Sequence, residues 1–165
     1  MKLLSVLALA ALCLSAPCAS AAAPDAAQAK AVHDMLAAMQ AEKLMRMTAG
    51  MSRYADEKQR QAAMAKLDKV TPEEIYTRLA PPVAQLVTAK TAAEMTRFYA
   101  SSYGKRVLHQ TYNSGPGMYA NPAPTAAEKL ELKRPAYVKA GKAFKEAEPA
   151  IQHATFVLMT QLVRK

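Results

Sequence analysis

Three Thr-x-x-Glu sequences divide the chain and constrain its fold more than any other feature. They begin at Thr71, Thr91 and Thr125. In such a capping box the threonine hydroxyl and the glutamate carboxylate satisfy free N–H groups in the first turn of a helix. Each box precedes apolar residues at helical spacing, and glycine is scarce, with 5 in 165 residues. The sequence therefore predicts an all-α fold.

The apolar spacing also predicts where the helices of the first half begin and end. It indicates a single bundle-like domain of five to seven helices. Residues 25–67 should form two helices or one bent helix, with a break near Gly50–Ser52. A helix should begin at Pro72, where the missing N–H costs little, and should end near Ala80, because Pro81–Pro82 cannot continue it.

The second half of the chain contains one predicted loop between helical regions. A helix is expected over residues 92–112, with a bend at residues 101–104. Residues 113–124 are rich in proline, glycine and asparagine and predict a loop that is long for a compact domain. The remainder should be helical, with interruptions at Pro135 and Pro149.

The first 21 residues have the three-part pattern of a secretory signal peptide. Lys2 supplies a positive start, residues 3–14 form an almost unbroken apolar run, and small residues follow. The Ala19–Ala21 triplet fits the cleavage rule. The apolar run of roughly 12 residues is too short to span a hydrocarbon core of about 30 Å. We expect residues 22–165 to form the domain that remains after cleavage.

Export predicts where the protein is located and that it lacks cysteine chemistry. The signal peptide is of the Gram-negative type, so we expect the mature protein in the periplasm or secreted. Cys13 and Cys18 do not fit the cleavage site of a lipoprotein, and both leave with the signal peptide. The mature chain then has no disulfide, no thiolate metal site and no cysteine nucleophile. We also expect no transmembrane segment in it.

The formal net charge of +9 is spread along the chain, with a mild bias to its C-terminal part. A diffuse basic charge favours weak attraction to anionic lipid, acidic polysaccharide or nucleic acid, and identifies none of them. We expect no specific nucleic-acid partner. The basic stretch from Lys129 to Lys145 is the best candidate for contact with an anionic surface.

Catalytic and metal-binding patterns are weak. His33, His109 and His153 are far apart and lack the paired spacing of a zinc site. No sequence resembles a nucleophile elbow, a P-loop or a dinucleotide fingerprint, and adjacent carboxylate pairs point in different directions on a helix. The sequence therefore favours a non-enzymatic protein, and it indicates no cofactor.

Methionines crowd the first mature segment. Met35 and Met39 are four residues apart, as are Met47 and Met51. Thioethers are soft ligands that suit Cu(I), and these four residues are the candidate copper ligands. Methionines at this spacing also simply pack, because their flexible side chains fill irregular cores and apolar grooves. We favour packing, and keep copper as the lesser alternative.

The stretch from Glu94 to Leu108 resembles the core motif of a bacterial exported family catalogued as domain of unknown function 2059. The family pattern is an acidic helix start, then Phe-Tyr-x-Ser-Pro-x-Gly-Lys and apolar residues. Ser102 stands where the pattern has proline, and the resemblance covers about residues 70–110. It implies a small, exported, all-helical protein whose activity is not established. The matching residues are Phe98, Tyr99, Ser101, Gly104 and Lys105.

The motif has a structural and a functional interpretation. Phe98 and Tyr99 supply large areas for burial, and Gly104 permits a close backbone approach, which is typical of a joint between two helices. Alternatively, Phe98 and Tyr99 with Ser101 and Lys105 line a ligand-binding cleft. These four are the candidate binding residues.

Two further hypotheses follow. The first is a binding or interaction module whose methionine-rich helix and Phe98–Tyr99 helix frame an apolar groove for a protein, peptide, lipid or partner helix. The second is a peripheral protein that uses residues 129–145 on anionic lipid or cell-wall polymer. The sequence leaves the partner and the oligomeric state open.

Overall fold

Eight α-helices account for most of the described chain. The computed structural model describes residues 24–113 and 121–164, in which no strand is present, so the predicted all-α class is confirmed with one helix more than the expected maximum. The predicted signal peptide and residues 114–120 of the predicted loop lie outside the described residues. The helices are α1 (Ala26–Ala38), α2 (Ala41–Met51), α3 (Glu57–Leu67), α4 (Pro72–Ala84), α5 (Ala89–Ala100), α6 (Ser102–Asn113), α7 (Ala126–Leu132) and α8 (Pro135–Arg164).

Helices α1, α4, α5 and α8 build the core. α1 packs against α4 and α5, and α8 packs against α5, α4, α3 and α2. The inward side chains are apolar residues at helical spacing, and each one that is fully buried stabilises the fold by about 1.5–3 kcal/mol. The most deeply buried large apolar side chains are Val32, Met35, Leu36, Met45, Leu67, Ile75, Leu79 and Val83.

Two of the three predicted threonines cap helices, and the full capping box is present at Thr125. The Thr125 hydroxyl accepts from the Glu128 N–H at 3.3 Å, and the Thr125 N–H donates to the Glu128 carboxylate at 2.9 Å. At α4, the Thr71 hydroxyl accepts from the Glu74 N–H at 3.2 Å. The third prediction is wrong by one turn. Thr88 caps α5, and Thr91 is buried inside that helix, where its own N–H donates to Thr88 at 3.2 Å.

Pro81 and Pro82 do not end a helix, contrary to the prediction, because α4 continues through them to Ala84. A proline inside a helix lacks the N–H donor and costs about 3 kcal/mol. Val83 and Ala84 follow directly and are buried, which offsets that cost. The Gln28 side chain of α1 donates to the Ala84 carbonyl at 2.7 Å and so fixes the end of α4.

Pro149 likewise does not interrupt α8, contrary to the prediction, whereas the predicted interruption at Pro135 is present between the end of α7 and the start of α8. The residues after Pro149 continue the buried face of α8 with Ile151, Thr155 and Leu158, so the helix stays packed on the core. α8 has 30 residues, but no described helix combines the length and the apolar character that crossing a membrane requires.

The segment of residues 25–67 breaks at two places rather than one. α2 ends at Met51, which confirms the predicted break near Gly50–Ser52. A second break lies at Gln40, whose backbone adopts the left-handed conformation with φ 56°. The Tyr112 hydroxyl of α6 donates to the Met39 carbonyl at 2.9 Å and stabilises this turn. No apolar pattern signals the break, because Met39 and Ala41 on either side are both buried.

A buried carboxylate lies just after this turn. Glu42 is only 8 % exposed, and the Tyr76 hydroxyl of α4 donates to it at 2.5 Å. Burial and the neighbouring Glu42 raise the pKa of Tyr76 above its usual range, so the hydroxyl keeps its proton. His33 lies edge-on to the Tyr76 ring at 5.8 Å and contacts the Glu73 carboxylate at 3.0 Å.

Candidate functional site

An aromatic pocket lies where the joint between α5 and α6 faces α7 and the start of α8. Its volume is about 240 Å³. Apolar walls come from Phe98, Tyr103, Leu132 and Tyr137, and we call this the Phe98 pocket. The Phe98 ring centre is 5.3 Å from that of Tyr137 and 6.1 Å from that of Tyr103. The three rings therefore form a continuous aromatic surface.

The α5–α6 joint sets the position of the Phe98 ring. The Ser101 hydroxyl donates to the Phe98 carbonyl at 2.6 Å and accepts from the Gly104 N–H at 3.0 Å. Ser101 therefore ends α5 and caps α6, and its hydroxyl makes one hydrogen bond to each helix. A Cβ on Gly104 would lie 2.0 Å from the Phe98 carbonyl oxygen, which means that only glycine allows this approach.

Ion pairs form the rim on the α7 side. Arg134 donates to Glu94 of α5 at 2.6 Å and to Glu131 of α7 at 2.9 Å. Arg97 of α5 also donates to Glu131, at 2.9 Å. The Arg134 guanidinium holds the pKa of Glu94 below its usual range, so this carboxyl stays ionised. Charged groups thus surround an apolar interior and are themselves paired.

A second attachment joins α7 to α6. Arg106 donates two hydrogen bonds to Glu128, at 3.1 and 2.8 Å. These bonds and the cap at Thr125 lower the pKa of Glu128 to about 2. None of the seven residues of α7 is fully buried. Ion pairs and the half-buried Leu132 therefore hold this wall of the pocket.

The four predicted binding residues do not share one cleft. Phe98 and Ser101 line the Phe98 pocket. Tyr99 lines a separate cavity of about 200 Å³ with Met39 and residues of α2, α6 and α8, and burial raises its pKa to about 12. Lys105 is exposed and contributes to neither cavity. The interpretation of the motif as a joint therefore describes Ser101 and Gly104 better than the cleft interpretation.

The sequence did not indicate most of the residues that line the pocket, including its apolar wall residues Tyr103, Leu132 and Tyr137. Tyr103 lies inside the motif, two residues after Ser101. Because its neighbour Gly104 was expected at a close approach between helices, the sequence could have indicated that the Tyr103 ring is buried there. Leu132 and Tyr137 belong to α7 and α8, which lie about 30 residues further along the chain. No sequence signal places those helices beside the α5–α6 joint.

The four candidate copper ligands are divided between core and surface. Met35 is fully buried and Met39 is 8 % exposed, so both pack in the core as favoured. Met47 and Met51 are 37 % and 69 % exposed. They line a shallow groove between α2 and α8. In the described parts of the chain, no group of three or more His, Cys, Asp or Glu side chains is arranged to hold a metal ion.

Comparison with known proteins yields no relative. No protein-family model, curated protein or solved structure matches this chain. The resemblance of residues 94–108 to the exported family stays a prediction.

Proposed function

We propose that this protein is a non-enzymatic, exported interaction module that captures a single apolar side chain of a polypeptide partner in the Phe98 pocket. The observation that carries the proposal is the continuous aromatic surface of Phe98, Tyr103 and Tyr137, which opens at the protein surface. Export rests on the signal-peptide pattern of residues 1–21 and on the resemblance to an exported family.

The size of the pocket supports a side chain rather than a whole small molecule. Pockets for drug-sized ligands measure roughly 300–1,000 Å³. A volume of about 240 Å³ falls below that range. Anchor side chains at protein interfaces typically insert into small, well-packed apolar pockets of this kind, where the loss of water contact supplies the binding energy.

The polar groups at the pocket support binding rather than catalysis. The Ser101 hydroxyl donates its proton to the Phe98 carbonyl and accepts from the Gly104 N–H, so its proton is held by a carbonyl and not by a general base. Arg134 is engaged by Glu94 and Glu131, which leaves it paired before any ligand arrives. Burial raises the pKa of the Tyr137 hydroxyl, which therefore stays neutral.

Titration with small amides tests this proposal directly. N-acetyl amides of phenylalanine, leucine and lysine are added to the protein, and the ring resonances of Tyr103 and Tyr137, which line the pocket, are followed by NMR. We expect saturable shifts with the phenylalanine and leucine amides only, because the pocket wall is apolar. Leu132→Glu should weaken that binding at least tenfold, since one buried apolar contact is worth more than about 1.4 kcal/mol.

The chain offers a matched control on the same helix. Leu130 is 71 % exposed and does not line the pocket, so Leu130→Glu should leave amide binding unchanged. Ser102→Phe, at the pocket mouth, should block binding without touching Leu132. Equal shifts with all three amides, or undiminished binding in both pocket variants, would contradict the proposal.

A second candidate function is peripheral association with an anionic surface. Leu130 and Val138 are 71 % and 55 % exposed, and exposed lysines flank them. Apolar side chains among lysines are typical of helices that lie on anionic lipid. This surface lies on α7 and α8 and is independent of the pocket interior. The flanking lysines are Lys129, Lys133, Lys139 and Lys142.

Vesicle sedimentation tests this second candidate. The predicted mature form, residues 22–165, should bind vesicles with anionic phosphatidylglycerol and not vesicles of phosphatidylcholine alone. Lys139→Gln and Lys142→Gln should each weaken binding roughly fivefold, because a lysine near such a surface is worth about 1 kcal/mol. Lys58→Gln on α3 is the control. Binding that persists at 1 M salt, where the Debye length is about 3 Å, would count against charge-driven association.

A further inference from the structure

We propose that Met47 and Met51 of α2 and His153 of α8 form a Cu(I) site, separate from the Phe98 pocket. All three side chains line one groove between the two helices, which we call the methionine groove. Its walls are completed by Leu44 and Phe156. The proposed ligand set differs from the four methionines that the sequence suggested.

The two methionines of the proposed site are exposed, unlike the methionines of the core. Met47 and Met51 are 37 % and 69 % exposed, whereas Met35, Met45 and Met159 are buried in the core. Packing in the core therefore accounts for the buried methionines, but only in part for Met47 and least for Met51. They are four residues apart on α2, so their Cβ atoms are about 5–6 Å apart and both sulfur atoms can reach one ion.

The facing helix α8 supplies the third proposed ligand. α8 continues unbroken through Pro149, and this places His153 and Phe156 one turn apart on the wall opposite α2. His153 is exposed, so a ring nitrogen can turn towards the groove. His33, in contrast, is engaged by Glu73 at 3.0 Å.

The chemistry of the three ligands selects the metal. Thioethers and imidazole together suit Cu(I), while carboxylates and carbonyls suit Mg²⁺, Ca²⁺ and Mn²⁺. Among the described residues that line the groove, none carries a carboxylate. A monovalent ion is therefore favoured over a divalent one, because no anionic ligand offsets the charge.

Anaerobic titration with Cu(I) against a coloured Cu(I) chelator tests the site. The full chain is used with Cys13→Ser and Cys18→Ser, so that no thiol competes for copper. We expect one equivalent of Cu(I) to bind. Met47→Leu with Met51→Leu should lower the affinity at least 100-fold, because leucine keeps the volume and the fold but removes both sulfur atoms.

Three further measurements separate ligation from packing. Met64→Leu on α3 removes a methionine outside the groove and should leave the affinity unchanged. With Ag(I) as a redox-stable substitute, the NMR methyl signals of Met47 and Met51 should shift, while those of the core methionines should not. His153→Asn should weaken binding at least tenfold, because it removes one of the three proposed ligands.

The proposal fails if the protein takes up no equivalent of Cu(I), or if the double leucine variant binds as tightly as the parent. Shifts in core methionines alone would also overturn it. None of these three results bears on the Phe98 pocket, because the two sites share no residue.

Discussion

Gly104→Ala is expected to destabilise the fold by about 3 kcal/mol, which is the upper end of the usual cost of overpacking. The added Cβ would lie 2.0 Å from the Phe98 carbonyl oxygen and 2.8 Å from the Tyr99 Cα. These are backbone atoms and no flexible side chain can move aside, so α6 must shift away from the end of α5. Urea unfolding followed by circular dichroism measures the change in the free energy of unfolding.

Two other glycines provide matched controls for this substitution. Gly50 in α2 and Gly141 in α8 are also helical, and a Cβ at either position meets nothing within 4 Å. Alanine there should stabilise the protein by about 0.5–1 kcal/mol, because glycine loses more backbone entropy on folding. If Gly104→Ala unfolds at the same urea concentration as the parent, the close approach of α5 and α6 is not what the structure indicates.

Tyr76→Phe is expected to cost about 3 kcal/mol, because it removes the hydroxyl that donates to the buried Glu42 carboxylate. A buried charge that loses its hydrogen-bond donor keeps the full desolvation penalty. The loss should shrink to about 1 kcal/mol when Glu42→Gln is already present, since the remaining partner is then neutral. Urea unfolding of the two single variants and the double variant gives the coupling energy.

The control for this prediction is the same chemical change at Tyr112. Its hydroxyl donates to the neutral Met39 carbonyl at 2.9 Å, so Tyr112→Phe should cost only about 1 kcal/mol. Equal losses for the two tyrosine variants would mean that the charge of Glu42 does not contribute.

Local signals in the sequence predicted the fold class and several helix ends correctly. The hydroxyls of Thr71 and Thr125 accept from N–H groups three residues ahead, and an interaction of that range can be read from adjacent positions. The same holds for the break at Ser101, where serine and glycine interact within one turn. At α5 the cap is Thr88, three residues before the predicted Thr91, and Thr91 is buried inside the helix.

Tertiary packing explains what the sequence analysis missed. The prolines at positions 81, 82 and 149 are helix breakers by local rules, yet the buried residues that follow them keep α4 and α8 continuous. Helical spacing places Met47 and Met51 on one face of α2 but does not say whether another helix covers that face. The Phe98 pocket is harder still to predict from sequence, because it depends on α7 and α8 approaching the α5–α6 joint.

The attachment of α7 has a consequence for how a ligand enters. This helix contributes no fully buried residue, and the pairs Arg97–Glu131 and Arg106–Glu128 tie it to α5 and α6. Ion pairs near the surface contribute only about 0–1 kcal/mol each and weaken with salt. Local unfolding of α7 therefore costs far less than global unfolding. We therefore expect higher ionic strength to open this wall of the pocket more often, and a ligand of the proposed kind would enter there without a dedicated hinge.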